Sequence, residues 1–455
     1  MPGAFIKARR LAAVALLVVP AGACNDFLEV ENPGAIETPS LDDPSYLQLM
    51  VNGVIGEFQI MYTQVSHYNA LYSDELHNHH VFFEERLIDR RDVAPENGTY
   101  SFFVYGPLQR SRFMSDTVTS RLRTLLADTA SRDVRLARTL VYSGFNYILL
   151  GENLCLIPLT QEPGNPPLSS DETIQRAADR FEEAIAVATA ARAYQAAIIP
   201  ATAASNAAVA GADTLINAAR VGAARAHLWL NDKTQAATFA APVPAGFVFW
   251  AYYLTGAVNN YYHGRLSTGS SGSNSGSINN TPFLAMAGDP RVPRLATDEA
   301  MQNGIRGFIP NSPTAASTYN GTAVGADFTQ SSLFRIASGL EAAYIVAESD
   351  GPTAATLSFV NERRAVGGQL PVVLAGDDLM AELRDQRRRD LYLDSHRLGD
   401  LRRYKRHYGV DEYQRGTYPG TTSGETYTSQ EAWPLPLNET TENPNVTEAP
   451  TCTGS

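Results

Sequence analysis

Apolar residues recur at steps of three and four along much of the chain, and this spacing is typical of amphipathic helices. The clearest stripes run from Val134 to Ile148, from Ile174 to Ala188, from Ile216 to Leu230 and from Leu333 to Ala347. A fifth segment, from Asp377 to Leu401, carries charged residues on one side and leucines on the other. The pattern predicts a mainly α-helical protein.

Small residues occupy contact positions on these stripes. Gly144, Ala177 and Ala223 leave room for helix backbones to approach closely, as they do in stacked helix-turn-helix repeats. Asp171 is the predicted N-cap of the stripe that begins at Ile174. We therefore predict helix pairs similar to tetratricopeptide repeats, although the period of about 34 residues that defines those repeats is not visible.

Other stretches lack helical periodicity. Residues 241–330 are rich in Gly, Ser, Asn, Pro and aromatic residues, and the tail from Tyr408 to Ser455 is rich in Thr, Gly, Pro and Tyr. Loops of this length in a compact domain are usually functional or disordered. Residues 190–214, rich in Ala and Thr, are predicted to be a disordered or variable excursion.

Residues 1–23 have the parts of an export signal. Three basic residues precede an apolar run, Leu11–Pro20, and the small residues Ala21, Gly22 and Ala23 follow. The run of about ten residues is shorter than the ~20 residues that span a bilayer. We therefore predict a leader that is removed and a mature domain that covers residues 24–455, with no transmembrane helix.

Cys24 is placed where bacteria attach lipid to a lipobox cysteine. Ala21 stands where a lipobox usually has Leu, so cleavage without lipidation is the alternative. Several acyl chains on one cysteine would hold a soluble domain at a membrane surface. The other two cysteines, Cys155 and Cys452, either pair in an oxidising compartment or are unrelated thiols.

The charge balance argues against one class of partner. The formal net charge is −12, and removal of the three basic leader residues takes it to about −15 (−12 minus 3). Nucleic-acid binding relies on patches of Lys and Arg, so an acidic exported domain is a poor candidate for it. No phosphate-binding loop, nucleophile elbow or cofactor fingerprint is present, and we expect neither a cofactor nor catalytic residues.

Four motifs follow one another in a fixed order along the chain. They are Cys24–Val30, with an acidic residue before Phe-Leu; the Ala-rich Asn217–Lys233; Arg335–Arg364, with Glu-Ala-Ala and Val-Asn-x-x-Arg; and Arg387–Arg403, with Arg-Arg-x-Asp-Leu and Asp-Leu-Arg-Arg. This series resembles the SusD/RagB family of outer-membrane nutrient-binding lipoproteins. Asp289-Pro290-Arg291, Pro434–Asn438 and Asn443-Pro444-Asn445 resemble further family patterns.

The chain departs from the family pattern at three positions. Asp390 and Asp394 stand where Glu is usual, and Ser395 stands where Gly is usual. These changes leave the expected fold intact and leave open a divergent branch with an unusual ligand. Opposite charges three and four residues apart, such as Asp394 and Arg397, form ion pairs along a helix. We therefore interpret Arg387–Arg403 as scaffold, with a ligand-contacting arginine as the alternative.

The resemblance implies a fold, a place in the cell and a function. The fold would be a single SusD-like domain of tetratricopeptide-like helical pairs with a long loop-rich ligand-binding side. The protein would be a non-catalytic lipoprotein, anchored through a palmitate-type lipid on Cys24 to the outer membrane and facing the exterior. It would bind an oligosaccharide or peptide and deliver it to a SusC-like TonB-dependent transporter. The alternatives are a periplasm-facing helical-repeat scaffold lipoprotein and a secreted glycoside hydrolase.

Aromatic residues are the candidate ligand contacts, because their flat faces suit the apolar faces of sugar rings. A dense group follows residue 247, and a second, weaker set lies earlier in the chain; the predicted contacts are Trp250, Tyr252, Tyr253, Tyr261, Tyr262, Tyr68 and Tyr72. The alternative is that several of these rings pack in the core or against loops.

A histidine-rich stretch is the remaining candidate for chemistry. His77, His79 and His80, with Glu84 and Glu85 beyond, have side chains that suit a divalent metal ion. The zinc-protease HExxH pattern is absent, and clustered histidines on polar loops are common without metal. We therefore predict no metal site, and a place in the wall of the ligand pocket is the alternative role.

Overall fold

The computed structural model describes residues 41–78, 82–254, 256, 258–262, 281–286, 289–292, 317–319, 322–324, 331–419 and 424–446. The chain divides into two compact units, Met1–Tyr46 and Leu47–Ser455. The described end of the first unit contains a 3-10 turn, Pro44–Tyr46. The predicted leader boundary and Cys24 lie outside the described residues and remain predictions. The rest of this description concerns the second unit.

The second unit begins with helices. Helix α1 spans Leu47–Tyr72 and α2 spans Phe83–Asp89. A helical turn at Gly98–Tyr100 continues through a π-helical segment, Ser101–Tyr105, into α3, Gly106–Leu126. A 3-10 segment, Ala127–Arg132, leads to α4, which spans Val134–Asn153.

Two long helices follow α4 and pack against each other. Helix α5 spans Ser170–Ala196, α6 spans Ala203–Trp229, and the shorter α7 spans Lys233–Ala240. Helix α4 packs against α5, and α6 packs against α7. The predicted pairing of neighbouring helices is therefore confirmed in this part of the chain.

The strands of the described residues are short and form two-stranded antiparallel sheets. Strand β1, Leu156–Ile157, pairs with β2, Leu168–Ser169. Strand β3 spans Val248–Ala251; β4, Ser317–Tyr319, pairs with β5, Thr322–Val324. Strand β6, Phe334–Ser338, pairs with β3 and is buried along its whole length.

The C-terminal part returns to helices. These are α8, Gly339–Asp350; α9, Ala354–Val366; α10, Gly376–Asp390; α11, Arg397–Tyr408; and the short α12, Leu437–Thr441. The fold is thus mainly α-helical, as predicted. Among the described residues, no helix is both long and apolar enough to cross a membrane.

Close helix packing depends on two glycines that face one aromatic ring. Phe181 of α5 is fully buried between α4 and α6. A Cβ atom added at Gly144 of α4 would lie 2.6 Å from the ring, and one added at Gly222 of α6 would lie 2.3 Å from it. The small-residue stripes therefore do what the sequence predicts, since they let α4 and α6 approach α5 from both sides.

Four local predictions are wrong. Residues 190–214 are the ends of α5 and α6, not an irregular excursion, because Ala is the best helix former. Ser169, not Asp171, caps α5 through a capping box with Glu172. The stripe from Leu333 begins as strand β6, with Ser338 as the cap between β6 and α8. The segment 377–401 is two helices, because the backbone turns at 391–396.

The turn between α10 and α11 is held by buried contacts from distant parts of the chain. Leu393 and Ser395 have φ of 64° and 63°, in the left-handed region that favours glycine. The Leu393 N–H donates to Glu75 at 2.8 Å, and the Ser395 carbonyl accepts from Arg225 at 3.1 Å. These bonds offset a conformation that costs about 1 kcal/mol or more per residue.

Buried ion pairs surround this turn. Arg335 of β6 pairs with Asp394 through Nε at 2.6 Å, and Arg397 pairs with Asp74 at 2.7 Å. All four side chains are buried. The interpretation of Arg387–Arg403 as scaffold is therefore confirmed for Arg397. The predicted pair of Asp394 with Arg397 along a helix is wrong, because each of the two residues pairs with a distant part of the chain.

Candidate functional site

Four of the seven predicted ligand contacts are core residues. Tyr68, Tyr72 and Tyr262 are 0 % exposed and Tyr253 is 3 % exposed. The prediction that these rings stack on a ligand is contradicted by their burial, since their faces already contact protein. Nothing in the local sequence separates them from exposed tyrosines, because burial depends on which segments of the fold cover them.

The hydroxyl groups of these tyrosines are also used inside the protein. Tyr72 donates to the Ala432 carbonyl at 2.7 Å, and Tyr253 donates to the Gln59 carbonyl at 2.8 Å. Burial raises the pKa of both phenols, so they remain neutral donors. Their role is to join the core helices to the loops.

The other three predicted contacts are more accessible. Tyr252, directly after β3, is 58 % exposed, whereas Trp250 and Tyr261 are half-buried. Both flanking tyrosines contact α1, because the Tyr253 hydroxyl donates to the Gln59 carbonyl and the Tyr261 N–H donates to the Thr63 hydroxyl at 3.3 Å. Tyr261 therefore lies farther along α1 than Tyr252.

Tyr261 belongs to a group of aromatic rings that the structure brings to one side of the fold. Its ring centroid is 5.8 Å from that of Phe103, and the ring of Phe102 lies 4.8 Å from that of Phe103. Phe102 is 72 % exposed. Phe82 and Phe83, at the start of α2, are 58 % and 61 % exposed. We call Phe82, Phe83, Phe102, Phe103 and Tyr261 the exposed aromatic surface.

Glu84 joins the two segments that carry the phenylalanines. Its carboxylate accepts from the backbone N–H groups of Gly98 and Thr99, at 3.2 Å and 2.7 Å, and from the Thr99 hydroxyl. Burial raises the pKa of Glu84, but these hydrogen bonds outweigh it and hold the pKa below the usual 4.5. The start of α2 is therefore fixed beside the helical turn that leads to Phe102.

The backbone beneath Phe102 has an unusual form. Asn97 caps the first turn by accepting from the Tyr100 N–H at 2.8 Å, and Ser101–Tyr105 then continues as a π-helix. A π-helical turn is rare, costs stability and occurs often at functional sites. Here it places two consecutive phenylalanines at the surface end of a helix whose next two residues are buried.

Buried residues support the exposed rings from below. Tyr68 of α1 stacks on Phe103 with centroids 5.5 Å apart, and its hydroxyl lies 3.1 Å from that of Tyr261. The Tyr68 hydroxyl also lies 3.2 Å from Glu85, to which it donates. Phe103 and Tyr261 are thus packed against a buried residue before any ligand binds, which lowers the entropic cost of binding.

The chemistry of this surface suits a flat, partly apolar ligand. Aromatic faces contact the C–H face of a sugar ring or an apolar side chain without requiring an opposite charge. Arg86 lies over one of these rings, with its guanidinium carbon 5.3 Å from the centroid of Phe83. Recognition here would depend on shape and stacking rather than on ion pairs.

The histidine stretch gives no metal site in the described part of the chain. His77 is buried, with Nδ1 2.8 Å from Asp89, and its ring lies beside that of Tyr418. No group of three or more potential metal ligands occurs among the described residues. His79 and His80 lie outside the described residues.

The sequence contains a signal for the residues that were missed. Phe-Phe occurs twice, at Phe82-Phe83 before two glutamates and at Phe102-Phe103 after a serine. Paired phenylalanines outside an apolar stripe have no evident core position, so they are candidates for a binding surface. Their proximity could not be predicted, because it depends on Glu84 and on the π-helical segment.

Residues 341–451 match the model of the SusD family. No curated protein sequence matches the chain. The matched segment contains α8 to α12 and the buried turn between α10 and α11.

Solved structures resemble the chain over most of its length. A SusD superfamily protein from Bacteroides thetaiotaomicron has a TM-score of 0.64 at 12% identity, with 89% of this chain and 99% of that chain covered. A laminarin-binding SusD-like protein has a TM-score of 0.59 at 14% identity, with the same coverages. The surface glycan-binding protein A from Bacteroides thetaiotaomicron, in complex with laminarihexaose, has a TM-score of 0.59 at 13% identity and covers the same shares.

These likenesses define the fold class as SusD-like, built on paired helices. Residues 341–451 thus match the SusD family, and the fold of the chain as a whole is SusD-like.

Proposed function

We propose that the protein is a non-catalytic, cell-surface lipoprotein that binds an oligosaccharide on its exposed aromatic surface. The observation that carries the proposal is a group of aromatic rings on a SusD-like fold, with Phe102 at its most exposed point. Two proteins of similar fold are named for binding laminarin or glycans, which supports a glycan as the ligand class. A peptide is the alternative ligand.

The proposed destination of the ligand is a SusC-like TonB-dependent outer-membrane transporter. Lipid on Cys24 would hold the protein at the outer membrane, on the exterior side. The paired helices would provide the interface with the transporter and leave the aromatic surface for the ligand. The match of residues 341–451 to the SusD family and the SusD-like fold support this arrangement, and a periplasm-facing scaffold is the alternative.

Ligand binding is tested by calorimetry with purified protein and a panel of soluble glycans and peptides. Phe102→Ala should weaken glycan binding about tenfold, because it removes a stacking face. Phe113→Ala is the matched control, since Phe113 is 62 % exposed on α3 and does not belong to the exposed aromatic surface. Equal loss in both variants, or binding of peptides alone, would contradict the proposal. Turnover of a glycan by the purified protein would favour the hydrolase.

Localisation is tested in cells. Cys24→Ala should release the mature protein from the membrane fraction, and protease added to intact cells should cleave the wild-type protein. Cys155→Ser leaves the proposed lipidation site unchanged and is the control for release. Retention of the Cys24 variant in membranes would exclude the anchor, and protection of the wild type from protease would favour the periplasmic scaffold.

A further inference from the structure

A polar pocket lies beside the exposed aromatic surface. It has a volume of about 320 Å³, and one of its walls includes Ser101, the residue immediately before Phe102. Ser101 and Phe102 are consecutive residues of the π-helical segment, so one wall of the pocket and the Phe102 ring belong to the same helical turn. A ligand on the ring could therefore extend into the pocket without bending away from the surface.

Two segments far apart in sequence form the pocket. Pro95, Glu96 and Ser101 form one wall, and residues of α12 and its C-terminal end form the other. The Leu437 N–H donates to the Pro95 carbonyl at 3.0 Å and holds the walls together. The hydroxyl of Tyr100 donates to the Pro434 carbonyl at 2.5 Å, one residue from Ser101. The pocket is therefore formed before ligand binding.

The lining of the pocket is rich in hydrogen-bond acceptors. Glu96 and Glu442 contribute carboxylates, and Asn438 contributes an amide. The Thr441 hydroxyl donates to the Leu437 carbonyl at 2.8 Å, so its oxygen faces other groups only as an acceptor. Acceptors in this number suit a ligand that presents several hydroxyl donors, and they repel a ligand that carries carboxylate or sulfate.

We propose that this pocket is a specificity subsite that binds a neutral sugar ring next to the ring stacked on Phe102 and excludes acidic sugars. The inference rests on the proposed function, because it assigns the charge class of glycan that the same surface binds. The volume is sufficient for one pyranose ring, and the two carboxylates can each accept hydrogen bonds from sugar hydroxyls.

The test compares neutral glucans with their counterparts oxidised at C6, which differ only in carrying carboxylates. The probes are laminarihexaose, maltohexaose and the C6-oxidised form of each. Wild-type protein should bind a neutral form at least tenfold more tightly than the oxidised form. Glu96→Gln with Glu442→Gln should bring the two affinities within about threefold of each other.

A charge-matched control separates the pocket from the overall negative field. Glu362→Gln with Asp378→Asn removes the same charge from exposed positions on α9 and α10, and it should leave the discrimination unchanged. Circular dichroism of each variant checks that it is folded.

The outcomes distinguish the two proposals. Equal or tighter binding of an oxidised glucan by the wild type, or unchanged discrimination in the pocket variant, overturns the subsite while glycan binding stands. Absence of binding to every probe overturns the subsite and counts against the proposed oligosaccharide function as well. Glycan binding weakened about tenfold in Phe102→Ala, together with loss of discrimination only in the pocket variant, supports both proposals.

Discussion

Glu341, at the start of α8, is a fully buried carboxylate whose partners come from other elements. Its ion-pair contacts among the described residues are His396 at 3.1 Å and Arg225 at 3.9 Å. Burial raises the pKa of Glu341, but His396 and the nearby arginines outweigh it and hold the pKa below the usual 4.5. His396 therefore stabilises the ionised form of Glu341 in the core.

Replacement of that histidine tests this dependence. His396→Gln should lower the free energy of unfolding by about 3–5 kcal/mol, because it leaves a buried charge without its closest partner. Urea unfolding followed by circular dichroism measures the change. The double variant His396→Gln/Glu341→Gln should be less destabilised than the sum of the single variants.

A second histidine–glutamate pair provides the matched control. His227 lies 3.2 Å from Glu182, whose side chain is 48% exposed. His227→Gln should cost less than about 1 kcal/mol, since water solvates the remaining charge. Similar losses at positions 396 and 227, or full additivity of the double variant, would show that Glu341 does not depend on His396.

Acid should destabilise the protein through other buried carboxylates as well. Burial raises the pKa of Asp400, but Arg387 and Arg403 hold it well below the usual 3.8. Burial also raises the pKa of Asp385, but Arg388 and Arg389 outweigh it and hold the pKa below the usual 3.8. A lowered carboxylate pKa contributes stability above the unfolded-state pKa and loses it as pH falls through the folded-state value.

The unfolding free energy should therefore be nearly constant from pH 7 to about pH 5 and should fall steadily below about pH 4.5. Each pKa difference of one unit contributes about 1.4 kcal/mol. Urea titrations at a series of pH values measure the profile. A free energy that stays constant down to pH 3 would show that these carboxylates are not stabilised by their arginines in solution.

Single residues also show what sequence can and cannot reveal about the site. A glycine is usual in the family at Ser395, and the left-handed backbone there explains that preference. Ser395 is tolerated with a compensating bond, since its hydroxyl accepts from Asn69 at 3.0 Å. By contrast, Tyr262 and Tyr261 are neighbours in sequence, and only the fold makes one a core residue and the other part of the surface.

At the scale of elements, the contact of α4, α5 and α6 around Phe181 should not tolerate an added methyl group. Gly222→Ala and Gly144→Ala would each place a Cβ within 2.6 Å of the ring and should cost about 1–3 kcal/mol through overpacking. Thermal and urea unfolding measure the loss.

Gly211 serves as the control in the same helix as Gly222. Nothing lies within 4 Å of a Cβ added at Gly211, so Gly211→Ala should stabilise the protein by about 0.5–1 kcal/mol through helix propensity. Equal stability of the Gly222→Ala and Gly211→Ala variants would contradict the close packing of α5 against α6.

The helices themselves were predicted most reliably where one face is apolar and the other polar. The stripe from Ile174 predicts α5 correctly because its buried residues, among them Ala177, Ala178 and Phe181, follow the helical period. The stripe from Leu333 failed for a physical reason, since a strand buried on both faces has no polar side to reveal its period of two. The ends of α5 and α6 were missed because Ala-rich helices carry little apolar contrast.

At the scale of the whole molecule, the C-terminal segment is part of the core. Trp433 stacks between Tyr72 of α1 and Tyr100, with centroids 4.3 Å and 4.9 Å away. Its indole N–H donates to Asn69 at 3.0 Å. The sequence predicts an irregular tail here, and this prediction is largely correct. It gives no indication that the tail packs on α1 and forms one wall of the pocket beside Ser101.

The disulfide bond of Cys155 bears on the proposed lipid anchor, because the chain has three cysteines. Cys155 is disulfide-bonded, and the chain contains only Cys24 and Cys452 as intramolecular partners. A cysteine that carries lipid through its thiol cannot also form a disulfide. If Cys24 carries the lipid, the partner of Cys155 has to be Cys452. Identification of the cysteine bonded to Cys155 therefore also tests the lipid anchor.

Described residues near both ends of this pair favour Cys452. Asn445 accepts from the Gly164 N–H at 3.0 Å and donates to the Glu162 carbonyl at 2.8 Å. The chain is therefore fixed beside the segment that follows Cys155, and the residues from 446 to 452 can extend by about 20 Å. Cys24 offers no comparable argument.

We expect peptide mapping under non-reducing conditions to recover Cys155 linked to Cys452 and Cys24 in a lipid-modified peptide. Cys452→Ser should destabilise the protein by about 2–4 kcal/mol, since it opens a long loop, and it should leave membrane attachment unchanged. Cys24→Ala should release the protein from the membrane, leave its stability unchanged and leave the disulfide intact. Recovery of Cys155 linked to Cys24 would contradict the lipid anchor directly, because it would show that the thiol needed for lipidation is already bonded.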